Sequence, residues 1–268
     1  MSESDNREEL RRRFAELHQT GCFVMPNAWD VGSAKVLHTV GFEAIATTSA
    51  GFAATLGRLD QKVQLNELAV HVADVCGAVS IPVSVDAEAG YATNADGLAD
   101  TVALLAAAGA AGISIEDYLP DRGILDPGEA VERVSAVVEA AAPMGVVVTA
   151  RAENYLYRVH DLDDTIMRLQ SYGDAGADVL YAPWITDTDE IARLVESVDR
   201  PVNVLLRPDG PAVPDLAALG VRRVSTGGAL ALLAYGAAAK AATALLEEGR
   251  ADLFTGTLNK ELREHAWG

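Results

Sequence analysis

Two carboxylates follow a short apolar run in the segment Val83-Ser84-Val85-Asp86-Ala87-Glu88-Ala89-Gly90-Tyr91. The run predicts a buried strand that breaks at the glycine. Asp86 and Glu88 are two positions apart, so an extended backbone directs both side chains to the same side. Like charges held together in a cleft require a cation or a proton between them. Hard divalent ions bind carboxylate oxygens, so the pair is a candidate Mg²⁺ site, and two solvated loop carboxylates are the alternative.

The elements that must position this pair recur along the chain. Short β-rich runs alternate with Ala- and Leu-rich segments of helical spacing, and most runs are continuously apolar, as in parallel strands covered on both faces. The predicted strands are Cys22–Pro26, Ala44–Thr47, Pro82–Asp86, Gly112–Glu116, Val146–Ala150, Asp178–Ala182, Pro201–Leu205 and Arg222–Thr226. The clearest predicted helices are Ala99–Ala108, Ala130–Ala142, Thr165–Ala175 and Asp189–Val198, and glycines expected to stop helices are Gly41, Gly109, Gly145, Gly176 and Gly220.

This alternation predicts one α/β domain, residues 1–268, folded as a single (β/α)₈ TIM-type barrel. A doubly wound open sheet is the alternative, and the absence of GxGxxG after any early strand weakens it. Residues 1–20 are expected to hold an extra helix at Arg7–His18, and residues 21–228 the barrel. Residues 229–268 should add C-terminal helices, including Ala251–Trp267. Such additions form an oligomer interface or plug the bottom of a barrel.

Composition limits the partners. The net charge is −18, from 39 acidic and 21 basic residues, which argues against nucleic acid and anionic membranes. We find no apolar run near the roughly 20 residues of a membrane span, and Met1–Arg13 lacks the apolar centre of a signal peptide. Cys22 and Cys76 form no CxxC pair, so buried free thiols in a reducing cytoplasm are predicted.

A barrel enzyme builds its site from the loops after its strands. Asp86, Glu88 and Glu116 fall there and could surround one Mg²⁺, directly or through water. Arg151 follows the next strand and could bind a substrate carboxylate or phosphonate with two hydrogen bonds. The alternative for Arg151 is a structural ion pair with Glu116 or Glu153.

Small residues follow the second predicted strand. The turn Ser49-Ala50-Gly51 would let backbone N–H groups approach an anionic ligand, and a plain tight turn is the alternative. The other polar candidates at strand ends include Trp29, Asp60, Asn203 and Arg207.

Five segments, taken in order, resemble the motifs of the isocitrate lyase / phosphoenolpyruvate mutase superfamily. The resemblance runs from about Gly21 to Gly228. The matching segments are Pro26–Asp30, Ala46–Gly51 with Asp60, Asp86–Tyr91, Ala108–Asp117 and Ala150–Glu153.

The resemblance implies a Mg²⁺-dependent enzyme, with Mn²⁺ as a substitute, acting on an α-keto or 2-hydroxy carboxylate through a metal-stabilised enolate. It implies that Asp86 is the principal metal ligand and that Glu88 and Glu116 bind mainly through metal waters. It also implies a homo-oligomer, since the family commonly forms tetramers of dimers that exchange a C-terminal helix. The predicted substrate-binding residues are Trp29, Ser49, Ala50, Gly51, Asp86, Arg151 and Asn203, and the predicted catalytic residues are Asp60, Glu116, Tyr118, Arg122 and Arg151.

The loop after the fourth strand departs from the family pattern. Its sequence, Glu116-Asp117-Tyr118-Leu119-Pro120-Asp121-Arg122-Gly123-Ile124-Leu125, lacks the cysteine of the isocitrate and methylisocitrate lyases and the Asn-Ser gate of the phosphonomutases. Tyr118 or Arg122 could take over a gating role. We therefore predict a lyase of a less characterised branch that cleaves a C–C bond in an oxaloacetate-like or 2-hydroxy dicarboxylate. The alternatives are a carboxyphosphonoenolpyruvate-type phosphonomutase and a non-catalytic keto-acid binding protein.

Overall fold

The computed structural model describes residues 3–268, so Met1 and Ser2 of the predicted N-terminal segment lie outside the described residues. Its strands are β1 (Phe23–Met25), β2 (Asn27–Ala28), β3 (Ile45–Thr47), β4 (Val83–Asp86), β5 (Gly112–Glu116), β6 (Tyr118–Leu119), β7 (Gly123–Ile124), β8 (Val147–Arg151), β9 (Val179–Tyr181), β10 (Val202–Leu205) and β11 (Arg223–Ser225). Every predicted strand is present, within one residue at either end.

Nine of these strands form one parallel sheet in the order β1-β11-β10-β9-β8-β5-β4-β3-β2. β1 pairs with β11 and β2 pairs with β3, and only Pro26 separates β1 from β2. Proline has no N–H to donate, so it interrupts the ladder without ending the strand direction. The sheet therefore closes on itself, which confirms the predicted (β/α)₈ barrel. The antiparallel hairpin of β6 and β7, in the loop after β5, was not predicted.

Helices surround the sheet, and most begin at a side-chain cap. Asp30, Asn94, Asp126, Asp161 and Asp187 each accept a hydrogen bond from a backbone N–H in the first turn of the helix that follows. The five predicted glycine stops all have positive φ angles, which glycine adopts without strain. The helices are α1 (Glu3–Leu17), α2 (Val31–Val40), α3 (Ser49–Thr55), α4 (Leu65–Ala78), α5 (Ala95–Ala107), α6 (Pro127–Ala141), α7 (Leu162–Asp174), α8 (Thr188–Ser197), α9 (Val213–Ala218), α10 (Ala229–Glu248) and α11 (Lys260–Trp267), with 3₁₀ turns at Ala142–Met144 and Asp252–Gly256.

Helix α1 closes the N-terminal end of the barrel. Phe14 is fully buried and packs in a cluster with Phe23 and Met25 of the first strand. The Arg11 guanidinium donates to the carbonyl oxygens of Ala106, Ala110 and Met144, which precede β5 and β8. Added terminal helices were expected either to form an oligomer interface or to plug the bottom of the barrel, and α1 plugs it.

Helix α10 leaves an apolar surface uncovered. Leu232, Leu233 and Leu246 are 63%, 69% and 87% exposed. We expected no apolar run long enough to span a membrane, but this 20-residue helix has the length and composition of one. A single helix of this kind does not by itself indicate a membrane protein. After α10 the chain folds back, and the Trp267 Nε1–H of α11 donates to the Gly32 carbonyl of α2 at 3.3 Å.

Candidate active site

A cavity of about 410 Å³ runs down the barrel axis from the carboxyl ends of the strands. Trp184 and Arg207 lie at its mouth, and Met25 and Arg223 lie at its floor. Six of the predicted site residues line it: Ser49, Ala50, Asp60, Asp86, Arg151 and Asn203. The others, Trp29, Gly51, Glu88, Glu116, Tyr118 and Arg122, are not part of the lining.

Arg151 is the centre of the charged cluster. Its guanidinium contacts Asp86 through Nη1 at 2.9 Å, Glu116 through Nη2 at 3.3 Å and Glu153 through Nε at 2.8 Å. Burial by itself would lower the pKa of Arg151, but the Glu153, Glu116 and Asp86 carboxylates raise it well above its ordinary value. The arginine thus keeps its charge, and the ion pairs considered as the alternative from sequence are both present.

Asp86 ends β4 and connects this arginine to the second strand's loop. Its Oδ2 accepts a hydrogen bond from the Ser49 backbone N–H at 3.1 Å, while its own N–H donates to Thr47 Oγ1 at 3.0 Å. The side chain is 16% exposed and faces the cavity. One carboxylate oxygen therefore faces a cation and the other faces a peptide donor.

Glu88 reaches the cluster by a different backbone path from the one expected. Because β4 ends at Asp86, the extended alternation does not extend to Glu88, which has a left-handed φ of 48°. Its Oε1 is buried and has no hydrogen-bond partner among residues 3–268. Burial, and then the charges of Asp86 and Asp60, raise the pKa of Glu88 to about 8. An ionised Glu88 in this position needs a cation.

The loop that carries Glu88 is held by an arginine of helix α6. The buried Arg133 guanidinium donates to the carbonyl oxygens of Ala89 and Ala92. Tyr91, within the same loop, also has a positive φ, of 57°. A non-glycine residue in this region costs energy and persists only when its surroundings fix it, so Arg133 is one of the groups that hold the loop.

Two further carboxylates complete the cluster. Glu116 is buried at the end of β5, and its Oε1 accepts a hydrogen bond from Gln61 Nε2 at 2.8 Å. Burial raises the pKa of Glu116 well above its usual range. Asp60 lies in the cavity wall, and the residue as a whole is exposed. Partial burial of its carboxylate is the larger cause that raises its pKa, and the negative charge of Asp86 is the second.

This donor set fits a hydrated Mg²⁺. Among residues 3–268 no three ligand side chains are already gathered at a common metal-binding point. Mg²⁺ keeps several waters and commonly takes only one or two direct carboxylates, so it does not require such a group. The unpartnered Glu88 oxygen and the raised pKa values are what an absent cation would account for. Asp86, Glu88 and Glu116 are the carboxylates that would hold the ion.

The Ser49–Gly51 segment is the first turn of helix α3 and not an isolated tight turn. The Gly51 N–H donates to Thr48 Oγ1 at 3.3 Å. A Cβ on Gly51 would lie 2.5 Å from Thr48 Cγ2 and 2.8 Å from Trp29 Cβ, so only glycine fits. Trp29 therefore supports this turn from behind and does not face the cavity.

The two candidates from the altered loop do not line the cavity. Tyr118, in the β6–β7 hairpin, stacks on Tyr157 with ring centroids 3.6 Å apart. Arg122, at the hairpin turn, is exposed and pairs with Glu129 at 2.7 and 2.6 Å. In this arrangement the Arg122 guanidinium is bound to the outer helix α6 and not to the site.

Some contacts and residues of the site were not predicted. Trp184 and Arg207 were both placed at strand ends from the sequence, but not their cation–π contact at the mouth, in which the guanidinium carbon lies 3.8 Å from the ring centroid. The Tyr181 ring lies 5.4 Å from the Arg151 guanidinium carbon. Each follows or ends a strand, which was the available sequence signal. The fully buried Glu153 was named only as an ion-pair partner, and its backbone N–H donates to Asp117 Oδ1 at 2.8 Å.

Comparisons of sequence and fold with known proteins identify the family of this chain. The family model for phosphoenolpyruvate phosphomutase matches residues 14–246. An uncharacterized protein of Mycobacterium tuberculosis is 40% identical over 87% of this chain and 88% of its own length. A crystal structure of a Burkholderia cenocepacia protein, provisionally described as a lyase/mutase, shares 44% identity with a TM-score of 0.93, over 97% of this chain and 96% of that chain. The oxaloacetate decarboxylase of Pseudomonas fluorescens is 31% identical over 92% of this chain and 87% of that enzyme. The chain therefore belongs to the phosphoenolpyruvate mutase family, within the isocitrate lyase / phosphoenolpyruvate mutase superfamily.

Proposed function

We propose that this protein is a Mg²⁺-dependent lyase that cleaves a C–C bond in an α-keto or 2-hydroxy dicarboxylate. The observation that carries the proposal is the ion pair of Asp86 and Arg151 in the cavity wall, together with the buried Glu88 Oε1 that has no hydrogen-bond partner. These groups supply a cation site and an anion site at one point of the cavity. Cleavage next to a carbonyl leaves an enolate, and a bound Mg²⁺ would stabilise that negative charge as a Lewis acid.

The residues of the chain would divide the work. Arg151 would bind a substrate carboxylate, and its three acidic partners hold the guanidinium plane in one orientation. Ser49 and Ala50 line the same cavity at the first turn of α3, where the Ser49 N–H already fixes the Asp86 carboxylate. Asp60 and Glu116 have raised pKa values and are the candidates to hold a proton near the reacting carbon.

A dicarboxylate is favoured over a monocarboxylate by the second cation in the cavity wall. Arg207 is 24% exposed at the mouth and pairs with Asp209 at 3.1 Å, so it could exchange that surface partner for a ligand carboxylate. The decarboxylase relative acts on such a substrate by its name, oxaloacetate decarboxylase. We expect the loop after β5, which lacks the cysteine of the isocitrate and methylisocitrate lyases, to decide which bond of the substrate is broken.

The direct test is to incubate the protein and Mg²⁺ with short keto and hydroxy dicarboxylates and to measure pyruvate, oxalate or glyoxylate by enzymatic assay. Asp86→Asn should abolish turnover, because it removes the direct ligand while keeping the shape of the side chain. Asp163→Asn, at an exposed surface carboxylate, is the matched control and should keep full activity. Near-normal turnover by the Asp86 variant would refute the metal assignment.

A phosphonomutase is the second candidate, and the match to the phosphoenolpyruvate phosphomutase family model favours it. Phosphorus NMR of candidate phosphonates with enzyme and Mg²⁺ would separate the two. Rearranged or cleaved P–C bonds without any keto-acid cleavage would replace the lyase proposal. Tight keto-acid binding with no turnover in either assay would instead support the non-catalytic binding protein.

We further propose that a second copy of the chain covers α10, which gives a homo-oligomer in the cytoplasm. Support comes from the row of exposed leucines on this helix and from the two free cysteines, which suit a reducing compartment. We predicted buried thiols, but both cysteines are only half-buried. Burial raises the pKa of Cys76 to about 12. The net charge of −18 argues against nucleic acid and anionic membranes as partners.

A further inference from the structure

The floor of the cavity contains a buried arginine that the proposed chemistry does not use. Arg223 of β11 is 2% exposed and borders the lower end of the cavity. Its guanidinium donates to Asn203 Oδ1 at 2.9 Å and Thr149 Oγ1 at 3.0 Å, and its Nη1 lies 3.2 Å from His18 Nε2. All three partners are groups that carry no charge at neutral pH.

The histidine partner is a neutral acceptor. His18 Nδ1 lies 2.8 Å from the Phe14 carbonyl oxygen, so Nδ1 carries the proton and Nε2 offers its lone pair to Arg223. Burial, and then the charge of Arg223, lower the pKa of His18 to about 3. The ring therefore cannot take up a proton in the physiological range, and it cannot neutralise an arginine.

No carboxylate neutralises Arg223 either. The buried guanidinium groups of Arg151 and Arg168 have carboxylate partners, whereas no ion pair to Arg223 forms within residues 3–268; the buried Arg133 likewise binds backbone carbonyls instead of carboxylates. Burial lowers the pKa of Arg223 to about 9, so the group remains cationic at neutral pH. Its Nε, Nη1 and Nη2 each have one hydrogen-bond partner, and none of these partners carries a negative charge.

The walls around this cation are polar and small. Barrel interiors are usually filled by branched apolar side chains. Here Ser84, Ser114 and Ser225 line the same cavity, so small polar side chains stand where packed apolar side chains are expected. The Ser225 hydroxyl accepts from Asn203 Nδ2 at 2.9 Å, and the Ser114 hydroxyl makes a long bond of 3.5 Å to the Val85 carbonyl. A buried charge without a counter-charge destabilises the fold, and its retention beside open polar volume indicates a ligand of opposite charge.

We propose that the cavity floor is an anion-binding subsite, formed by Arg223 and the hydroxyls of Ser84, Ser114 and Ser225, that takes one compact monovalent anion, a halide or a single carboxylate group. It is distinct from the Arg151 cluster. Thr149, which binds Arg223, precedes Arg151 by two residues on β8, so the floor lies about 7 Å deeper along the strand. The proposal stands apart from the metal and from the lyase reaction, since it needs neither.

The test measures thermal melting of the full-length protein in EDTA at constant ionic strength, while sodium bromide or sodium formate replaces sodium gluconate. The wild type should gain stability with a saturating dependence on bromide or formate. Arg223→Met should lose this dependence, and Arg193→Met, at an exposed ion pair, should keep it. No saturable response in the wild type, or an equal response in the Arg223 variant, would overturn the proposal.

A second variant keeps the test decisive if Arg223→Met does not fold. Asn203→Asp keeps the side-chain shape and places a carboxylate against Arg223 Nε. It should melt above the wild type without added anion and show no response to bromide. Crystals of the wild type soaked in bromide should show an anomalous peak within hydrogen-bond distance of the Arg223 guanidinium, and its absence at saturating bromide would count against the subsite.

The anion could be a free ion or one end of a dicarboxylate ligand, and competition separates these sources. A four-carbon dicarboxylate that removes the bromide response, when its monocarboxylate analogue does not, would place a ligand carboxylate on the floor. A bromide response that persists with both would assign the subsite to a free anion. Absence of turnover in the lyase assay would leave these binding measurements unaffected, so the two proposals fail separately.

Discussion

Replacing Arg151 with methionine should expose how much the acidic cluster depends on one cation. The side chain is 13% exposed and pairs with Asp86, Glu116 and Glu153 at 2.8 to 3.3 Å. Arg151→Met keeps much of the apolar volume but leaves three carboxylates facing one another. Glu116 and Glu153 already have pKa values raised by burial, so their charged forms are poorly solvated without the guanidinium.

The expected loss follows from these contacts. Removing one partner of a buried ion pair costs about 3–5 kcal/mol, because the remaining charge is left without a partner. For a domain near this size, each kcal/mol lowers the melting temperature by roughly 2–4 °C. We therefore expect the metal-free Arg151 variant to melt roughly 6–20 °C below the wild type.

Differential scanning calorimetry in EDTA and then across a Mg²⁺ titration is the assay. The variant should recover more stability from Mg²⁺ than the wild type, since the metal would replace a missing cation; a ligand at a hundred times its Kd adds about 2.7 kcal/mol. Arg151→Lys should fall between the two proteins. Arg193→Met is the matched control and should cost less than about 1 kcal/mol, because its ion pair is exposed. An Arg151 variant that melts with the wild type in EDTA, or that gains no more from Mg²⁺, would refute the reasoning.

Three further outcomes are expected. Arg133→Met should weaken Mg²⁺ binding by about 10- to 100-fold in titration calorimetry, because the loop bearing Glu88 loses two of its supports; unchanged affinity would show that the loop holds itself. His18 has its pKa lowered to about 3, so its neutral form stabilises the fold above about pH 6.5, and that stability is lost as the pH falls toward 3. His18→Gln should flatten this acid dependence in urea unfolding series, and an unaltered slope would contradict the assignment. Leu246→Glu should shift sedimentation to a smaller assembly, whereas Leu59→Glu, at an equally exposed leucine outside α10, should not; equal sedimentation of both variants with the wild type would remove α10 from the interface.

The sequence by itself determined the element order and the chemistry at the strand ends. Each strand's apolar run and each glycine stop is local information, since it depends on the backbone preferences and burial of neighbouring residues. Parallel strands bring their carboxyl ends to one edge, so the order of Asp86, Glu116 and Arg151 along the chain was enough to predict that they meet. The family motifs were readable for the same reason.

Only the tertiary structure decided how these groups interact. Glu88 lies beyond its strand in a left-handed conformation held by Arg133, a contact between residues more than forty positions apart that no local pattern encodes. Likewise, the capture of Arg122 by Glu129 and the plugging of the barrel by α1 depend on side-chain packing after the sheet has closed. The uncompensated charge of Arg223 is of the same kind: in sequence it is one arginine beside another, and only barrel closure shows that its side chain is buried among neutral partners.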